Sequence, residues 1–506
     1  MMHSIGYFGM VWGLVFGVTP AIAELDSFPA NGGVGWPPME VAIQEAPLWE
    51  PNTSISPEAT VSPTLADYLL EAESNNPGLK AAYYKWQGSL EKVPQVSSLR
   101  DPMLTFTEYL EKNVETRTGA QDFQLGVMQL FPYPGKLSLR GQAAAQEARA
   151  IEQEFIKARL NLRQEVRDAY YEYYYLEQSI RITAENLELL KHFERVASAR
   201  YEVARAGNQD VIKAQVELGE LENELRTLED FREPVQARLN AALNRPHTSL
   251  FPPPREIQLR ETELESGPIL EVAFQTNPDL RAIDARIQKQ QTELELAKKD
   301  YFPDFNVGLN WINTNDRIDA APPGNGDDVL LGSVQINLPV YRGRLAAGVR
   351  QAEQGVSEFR NRREDFENQL SVDLQTALYK LRDAQRQIDL YADILIPKAK
   401  QSVEVTQTAY SAEEAGFLDL IDAERILLNF QNSYYRSVAN YGQALAAIEA
   451  KVGQSVVESN APLLAIPKIE TPIAESSTGA HLEESDSSKG AGPGAIAPEE
   501  KETLRE

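Results

Sequence analysis

The sequence feature that most limits the fold is a long run of apolar residues with a seven-residue period. The run begins at Leu162, and after Leu190 the residues Ala197 and Tyr201 keep the same phase. Steps of four and three alternate through Leu162, Val166, Ala169, Tyr173, Leu176, Ile180, Thr183, Leu187 and Leu190. This period is typical of coiled-coil helices. One helix from about Leu137 to Ala204 would be about 100 Å long, which a compact globular domain cannot accommodate.

The same period returns elsewhere along the chain. It is present after the first long helix at Val211, Ala214, Leu218, Leu221, Leu225 and Leu228. In the second half it is present at Ala377, Leu381, Ala384, Ile388, Tyr391 and Leu395, and again at Leu420, Ala423, Leu427, Phe430 and Tyr434. We therefore predict a mostly α-helical protein whose long helices pack side by side around a wide object.

The second half of the chain repeats the first. Asn76-Pro77-Gly78-Leu79 returns as Asn277-Pro278-Asp279-Leu280, an offset of 201 residues, which Pro102 and Pro303 share. Later anchors match at offsets of 207 to 209: Phe131-Pro132 with Leu338-Pro339, Gly135-Lys136-Leu137 with Gly343-Arg344-Leu345, and Tyr201, Gly207 and Asp210 with Tyr410, Gly416 and Asp419. These colinear anchors predict two structural repeats, residues 64–245 and 268–453, joined by a linker at 246–267. A repeat of this length is too long for a solenoid, and it favours an arrangement in which the two repeats form two halves of one tube wall.

Each repeat also contains a pair of short alternating segments. Met103 to Leu110 and Phe123 to Phe131 form the first pair, and the second lies between residues 303 and 338. Apolar residues alternate there with small or polar ones, the pattern of a transmembrane β-strand. Four strands cannot close a barrel, and an open sheet edge in lipid leaves backbone groups unpaired. Two chains would give eight strands and a filled interior, whereas three would give a shared twelve-stranded barrel with room for a pore. The three-chain arrangement is the one that we prefer.

The two ends of the chain differ in composition from the repeats. Residues 1–23 resemble a signal peptide, with an apolar run that ends at Pro20 and a small-residue cleavage site at Ala21-Ile22-Ala23. The alternative is a retained N-terminal anchor. Residues 24–63 are rich in turn-forming residues and predict an extended segment. Residues 454–506 carry ten acidic and four basic residues, which predicts a disordered acidic tail.

Composition and motifs argue against several function classes. With 49 Lys and Arg against 75 Asp and Glu, the net charge is −26, which disfavours nucleic-acid binding. The chain has no cysteine, so disulfides and thiolate metal sites are excluded. Its four histidines do not share a metal-binding spacing, and it contains no nucleophile elbow, P-loop or dinucleotide fingerprint. We therefore predict that the protein is not an enzyme and has no metal or other cofactor.

Taken together, the repeated motifs resemble the outer-membrane efflux protein, or TolC-like, family. The resemblance covers about residues 64 to 453 and rests on the Asn-Pro-x-Leu motif, the Gly-Lys/Arg-Leu motif and the tip sequences that begin at Gln209 and Leu418. It implies a homotrimer whose barrel contacts outer-membrane lipid and whose helices form a periplasmic tunnel. It also implies a periplasmic adaptor protein and an inner-membrane efflux pump as partners. The stretch Phe131-Pro132-Tyr133-Pro134-Gly135-Lys136-Leu137 resembles the heavy-metal exporter branch.

The resemblance also implies where such a channel closes. Family members close at the periplasmic helical tips, where acidic residues ring the pore. The matching residues are Asp419 and Asp422, which are three apart on one helix face, and Asp210 in the first repeat. Gly207 and Gly416 would form the tip turns. Such a ring would attract cations. The alternative is that these aspartates are solvated helix-start residues favoured by the helix dipole.

Three other functions remain open at this stage. A protein-secretion exit duct of the same family would share the architecture. A structural coiled-coil protein of the cell envelope would explain the helices but not the matched amphipathic hairpins. A passive diffusion porin would explain a pore but not helices of about 100 Å. The preferred prediction is the exit duct of a tripartite efflux system for metal ions or drugs.

Overall fold

The structure, a computed structural model, describes residues 63–109, 114–203, 207–254, 257, 264–319, 321–412 and 414–456. The predicted signal peptide, nearly all of the extended N-terminal segment and most of the acidic tail lie outside these residues. The helices are α1 Leu65–Asn75, α2 Pro77–Leu90, α3 Lys92–Ser97, α4 Lys136–Glu202, α5 Asn208–Leu243, α6 Ser266–Thr276, α7 Pro278–Lys299, α8 Arg342–Asp389, α9 Ile396–Ser411 and α10 Phe417–Val452. The strands are β1 Met103–Glu108, β2 Val114–Thr116, β3 Gly119–Phe131, β4 Phe305–Asn315 and β5 Val329–Ile336.

The long helix α4 confirms the coiled-coil prediction. It has 67 residues, and every member of the seven-residue run from Leu162 to Leu190 is buried. At 1.5 Å per residue its length is about 100 Å. Within this buried run Tyr173 also makes hydrogen bonds: its hydroxyl donates to the Phe251 carbonyl at 3.0 Å and accepts from the Gln236 side chain at 3.1 Å.

The corresponding helix of the second repeat departs from the predicted pattern. The predicted core positions Tyr391 and Leu395 are only half-buried, because residues Leu390–Leu395 form a π-helical segment between α8 and α9. The wider π turn adds a residue to the turn and shifts the apolar phase. Pro397 follows directly and has no N–H to donate to the preceding turn.

The Asn-Pro-x-Leu motif joins helices end to end in both repeats. Asn76 caps α2 by accepting a hydrogen bond from the Leu79 N–H at 3.0 Å, and its side-chain amide donates to the Ala242 carbonyl of α5 at 3.0 Å. Asn277 caps α7 through the Leu280 N–H at 3.1 Å. Its amide donates to the Lys451 carbonyl of α10 at 2.7 Å. Each asparagine side chain therefore accepts a hydrogen bond from a backbone N–H at the start of one helix and donates one to a backbone carbonyl at the end of another.

The long helices pack side by side, and two shorter helices, α1 and α6, pack against them. Helix α4 packs against α5, α7 and α10, and α8 packs against α7 and α10. Helix α1 shares an apolar core with α4 and α5, with Tyr68 and Val166 among its members. Helix α6 shares another core with α8 and α10, which includes Ile269 and Ile448.

The strands form one antiparallel sheet in the order β1-β3-β4-β5, with β2 paired to β3. The register aligns one apolar face across all four main strands. Phe106 pairs with Leu125, Leu125 with Trp311, and Trp311 with Leu330. The opposite face carries Thr105, Thr107, Gln124, Asn310 and Ser333. The predicted amphipathic hairpins are therefore present.

A buried lysine fixes the hairpin of one repeat to that of the other. Lys136, at the start of α4, is 3% exposed, and its Nζ lies 3.0 Å from Asp304 and 3.3 Å from Asp300. Just before it, Gly135 has φ +87°, which a side chain would make strained. Tyr133 stacks on Phe302 with 4.5 Å between the ring centroids. The first part of the Gly-Lys-Leu motif thus locks α4 to the segment between α7 and β4.

Among the described helices, none is both long enough and apolar enough to cross a membrane.

Candidate gate at the helical tips

Two helical hairpins end close together and share one apolar core. The first consists of the end of α4 and the start of α5, and the second of the end of α9 and the start of α10. Their common core includes Phe193, Val211, Tyr410, Phe417 and Leu420. Gly207 and Gly416 are the residues before α5 and α10, in extended backbone conformation with φ near −78°. The sequence predicts these two glycines as the tip turns, and each lies directly before the second helix of its hairpin.

Asp419 serves the start of its helix. It is the third residue of α10, and its Oδ2 accepts a hydrogen bond from the Gly416 N–H at 2.9 Å. That contact satisfies a backbone donor that the helix leaves free, and the negative charge is favourable at the positive end of the helix dipole. The side chain is exposed. Asp419 therefore fits the helix-start interpretation, and its exposure leaves it available to a pore.

Asp422 has a different environment one turn later. Its side chain is 67% exposed, and the nearest cation, Arg425, is 3.9 Å away. Arg425 makes a closer ion pair with Glu217 of α5, at 3.2 Å from Nε to Oε1. An exposed carboxylate with so distant a partner is free to act on an ion in solution. Of the two aspartates on α10, Asp422 is thus the one without a structural task.

Asp210 faces the second hairpin. It is a half-buried residue in the first turn of α5. Burial raises the pKa of Tyr410, and the charge of Asp210 adds to that rise while Arg200 opposes it. The structure therefore brings Asp210 near Tyr410. Tyr410 lies in the second hairpin, nine residues before Asp419 along the chain.

Two ties between the hairpins are not evident in the sequence. Arg200 of α4 donates to the Tyr410 carbonyl at 2.8 Å and lies 4.4 Å from the centre of its ring. The ion pair between Arg425 and Glu217 is the second tie. The duplication aligns Arg425 with Val216, next to Glu217, at an offset of 209.

A buried acid completes the tip. Glu424 is 5% exposed, and burial raises its pKa above the ordinary value. The sequence analysis did not single it out, because it lies in a run of charged residues that appears solvated. In the described part of the chain, no group of three or more His, Cys, Asp or Glu side chains is arranged to hold a metal ion.

This fold is shared with known outer-membrane channels. The chain superposes on CusC with a TM-score of 0.69 at 16% identity, covering 84% of this chain and 99% of that one. It superposes on the open-state MtrE channel of Neisseria gonorrhoeae with a TM-score of 0.64 at 18% identity, covering 78% and 89%. At these identities the likeness establishes the fold: long helices with one small antiparallel sheet, as predicted.

Sequence comparison finds a family match over part of the chain. Residues 269–454 match the family described as outer membrane efflux protein. The chain is also 22% identical, over 423 residues, to the cobalt-zinc-cadmium resistance protein CzcC of Cupriavidus metallidurans, covering 82% of this chain and 96% of that protein. Both matches confirm the predicted resemblance to the outer membrane efflux protein family. The same matches agree with the prediction that the protein is a channel and not an enzyme.

Proposed function

We propose that the protein is the outer-membrane exit duct of a tripartite efflux system and transports metal ions or drugs out of the cell. An inner-membrane pump and a periplasmic adaptor protein deliver the solute, and the duct itself supplies no energy. The similarity to a cobalt-zinc-cadmium resistance protein favours divalent metal ions as the cargo. The function belongs to a homotrimer in the outer membrane with its helices in the periplasm.

The observation that carries this proposal is the open amphipathic sheet. Leu104 of β1 and Leu330 of β5 are about 70% exposed (69% and 71%) on the apolar face, although these strands are the two edges of the sheet. Unpaired strand edges with apolar side chains are unstable in water and in lipid. Because the strand directions alternate, β1 of one copy runs antiparallel to β5 of the next. Three copies therefore close a twelve-stranded barrel with its apolar face toward lipid.

The tips supply the gate. In a trimer, Asp422 and Asp419 contribute six carboxylates around the threefold axis, and Asp210 lies one helix away. Such a ring concentrates cations and repels anions. The ties from Arg200 to Tyr410 and from Arg425 to Glu217 hold the hairpins together in each copy. Opening requires these contacts to break or shift.

Single-channel conductance in a planar bilayer tests the function and the gate together. Wild-type protein is compared with the double variant Asp419→Ala, Asp422→Ala. We expect small cation-selective openings in the wild type, and larger and less selective ones in the variant. The matched control is Glu185→Ala, Glu188→Ala, which removes two exposed carboxylates three residues apart on α4.

The possible outcomes separate the two parts of the proposal. Equal conductance in the wild type and the tip variant would retain the channel and exclude the aspartate gate. Absence of conductance from folded protein would exclude the channel. An equally large change in the control variant would show that the selectivity comes from the general acidity of the protein.

A further inference from the structure

The duplicated sequence allows one contact between copies to be located to particular residues. Within a chain, the second strand of the first repeat, β3, pairs with the first strand of the second repeat, β4. In a closed ring, the second strand of the second repeat, β5, must pair with β1 of a neighbouring copy. The two junctions are equivalent by the repeat, so the internal junction is a template for the external one.

The template has a charged and an aromatic component. At the internal junction Lys136 reaches the segment that precedes β4, where it meets the Asp304 carboxylate at 3.0 Å and the Phe302 carbonyl at 3.4 Å. Tyr133 stacks on Phe302 in the same segment. Both side chains are thereby covered by the other repeat.

The equivalent residues of the second repeat are exposed to solvent in the single chain. At an offset of 208, Lys136 corresponds to Arg344 and Tyr133 to Tyr341. Arg344 is exposed and makes no ion pair among the described residues, and Tyr341 is 75% exposed. A buried cation in one repeat thus corresponds to an exposed one in the other.

The receiving segment is also duplicated and also exposed. At an offset of 201, Phe302 corresponds to Asp101, and Tyr301 corresponds to Arg100. Asp101 is exposed without an ion pair among the described residues, next to Leu99, which is 45% exposed. The two carboxylates that bind Lys136, those of Asp300 and Asp304, correspond to Leu99 and Met103, and Asp101 lies midway between these two positions. The segment before β1 therefore presents one carboxylate within the stretch that matches the acceptor segment of the template.

We propose that Arg344 of one copy pairs with Asp101 of a neighbouring copy, with Tyr341 packed against the same segment. This inference rests on the proposed function, because it requires the ring of copies. The inference adds to the proposed function the residues that join one copy to the next at the base of the barrel. The partner is a second copy of this chain, since the surface is complementary to another region of the same molecule in charge and position.

Charge reversal and its rescue test the contact in full-length protein. Arg344→Glu alone and Asp101→Arg alone each place like charges together at the junction. The variant with both changes restores an opposite pair. The measurement is the fraction of trimer that survives heating in detergent on a gel. We expect each single variant to lose its trimer at a lower temperature than the wild type, and the double variant to recover most of the loss.

Arg342→Glu is the matched control. Arg342 lies two residues from Arg344, is exposed, and its guanidinium is 5.4 Å from the ring centroid of Tyr301 in the same chain. Reversing its charge should leave the trimer as heat-resistant as in the wild type.

Each result either supports or overturns the contact. Single variants as heat-resistant as the wild type, or a double variant no better than the worse single, would overturn it while leaving the trimer and the duct intact. A wild-type protein that forms no trimer in detergent or in membranes would overturn the trimer and, with it, this contact. Far-ultraviolet circular dichroism of each variant separates lost assembly from lost folding.

Discussion

The two aspartates at the start of α10 differ in what each does for its own helix. Asp419 accepts a backbone hydrogen bond at the helix start, whereas Asp422 contacts only a distant arginine. We therefore predict that Asp419→Ala lowers the free energy of unfolding of the tip by about 1 kcal/mol, as the loss of a capping side chain does. Asp422→Ala should change it by less than about 0.5 kcal/mol, as at other exposed sites.

Local protection of tip amides, measured by hydrogen exchange, distinguishes the two variants. Faster exchange in Asp419→Ala and unchanged exchange in Asp422→Ala is the expected result. If Asp422→Ala destabilised the tip as much, its carboxylate would have a structural contact, and the gate assignment would lose its basis. Single-channel conductance of each single variant then shows whether a change in ion selectivity follows from the loss of the capping residue Asp419 or of the exposed Asp422.

Asp168 of α4 is a second acid with an unusual environment. Its Oδ1 is buried without a hydrogen-bond partner among the described residues, and the residue lines a cavity of about 630 Å³ between α4, α5, α8 and α10. Burial raises its pKa to about 6, although Arg238 and Gln164 act in the opposite direction. The charged residues that line the same cavity are Glu172, Arg238, Lys380 and Asp383.

This raised pKa predicts how stability depends on pH. A carboxyl group with a raised pKa in the folded state contributes stability that is fully present below its unfolded pKa and is lost as pH rises through about 6. Asp168→Asn should therefore match the wild type in melting temperature at about pH 4 and exceed it at about pH 8. Glu271→Gln, an exposed carboxylate on α6, is the control. Equal melting temperatures of wild type and Asp168→Asn at both pH values would contradict the buried-acid interpretation.

At the scale of helices, the repeated asparagines couple two elements through one side chain. Asn76 and Asn277 each cap one helix and bind the last turn of another. Asn76→Ala and Asn277→Ala should each lower the free energy of unfolding by at least about 1 kcal/mol, which is the ordinary loss for a helix cap. The loss should not be smaller, because the hydrogen bond from the side-chain amide to the second helix is lost as well.

Denaturant unfolding of the two variants is compared with that of Asn429→Ala. Asn429 is an exposed residue inside α10, where alanine is the better helix former. Similar losses in the two junction variants and none in the control would show that the duplicated motif has one physical role. A loss in only one of them would show that the two junctions are not equivalent.

Much of this element structure could be predicted from the sequence because it depends on local periodicity. The seven-residue run identified the buried face of α4 from Leu162 to Leu190, and the two-residue period identified the strands. The π-helical segment could not be predicted, since the apolar spacing through Tyr391 and Leu395 stays regular while the backbone does not. Pro397, just after the segment, is the only local sequence feature that indicates an irregularity in the helix.

The tip was predicted less completely, for a physical reason. A motif predicts Asp419, Asp422 and Asp210 for the tip, whereas Arg200 and Glu217 join the two hairpins through contacts with residues about 210 positions away. No local pattern encodes which of many exposed charges meet after folding. The burial of Glu424 is another consequence of tertiary packing.

At the scale of the whole molecule, the repeat predicts the register in which copies pair. Met128 of β3 lies opposite Gly308 of β4. At offsets of 207 and 201, these positions correspond to Gln335 of β5 and Thr107 of β1. Gln335 of one copy should therefore lie opposite Thr107 of the next, on the polar face of the barrel wall.

Because the chain has no cysteine, this register can be tested by disulfide formation without removing native thiols. Thr107→Cys with Gln335→Cys should form a disulfide between copies under mild oxidation, since directly opposite strand positions have Cβ atoms about 4.5–5.5 Å apart. Three such bonds close the ring, so a denaturing gel should show covalent trimer as the largest species. Thr107→Cys with Leu331→Cys shifts one partner four residues along β5, about 13 Å, and should not crosslink. Equal crosslinking in both pairs would mean that the strand register is not fixed by the repeat. A ladder beyond trimer would mean that the copies form an open array, which could not close a pore.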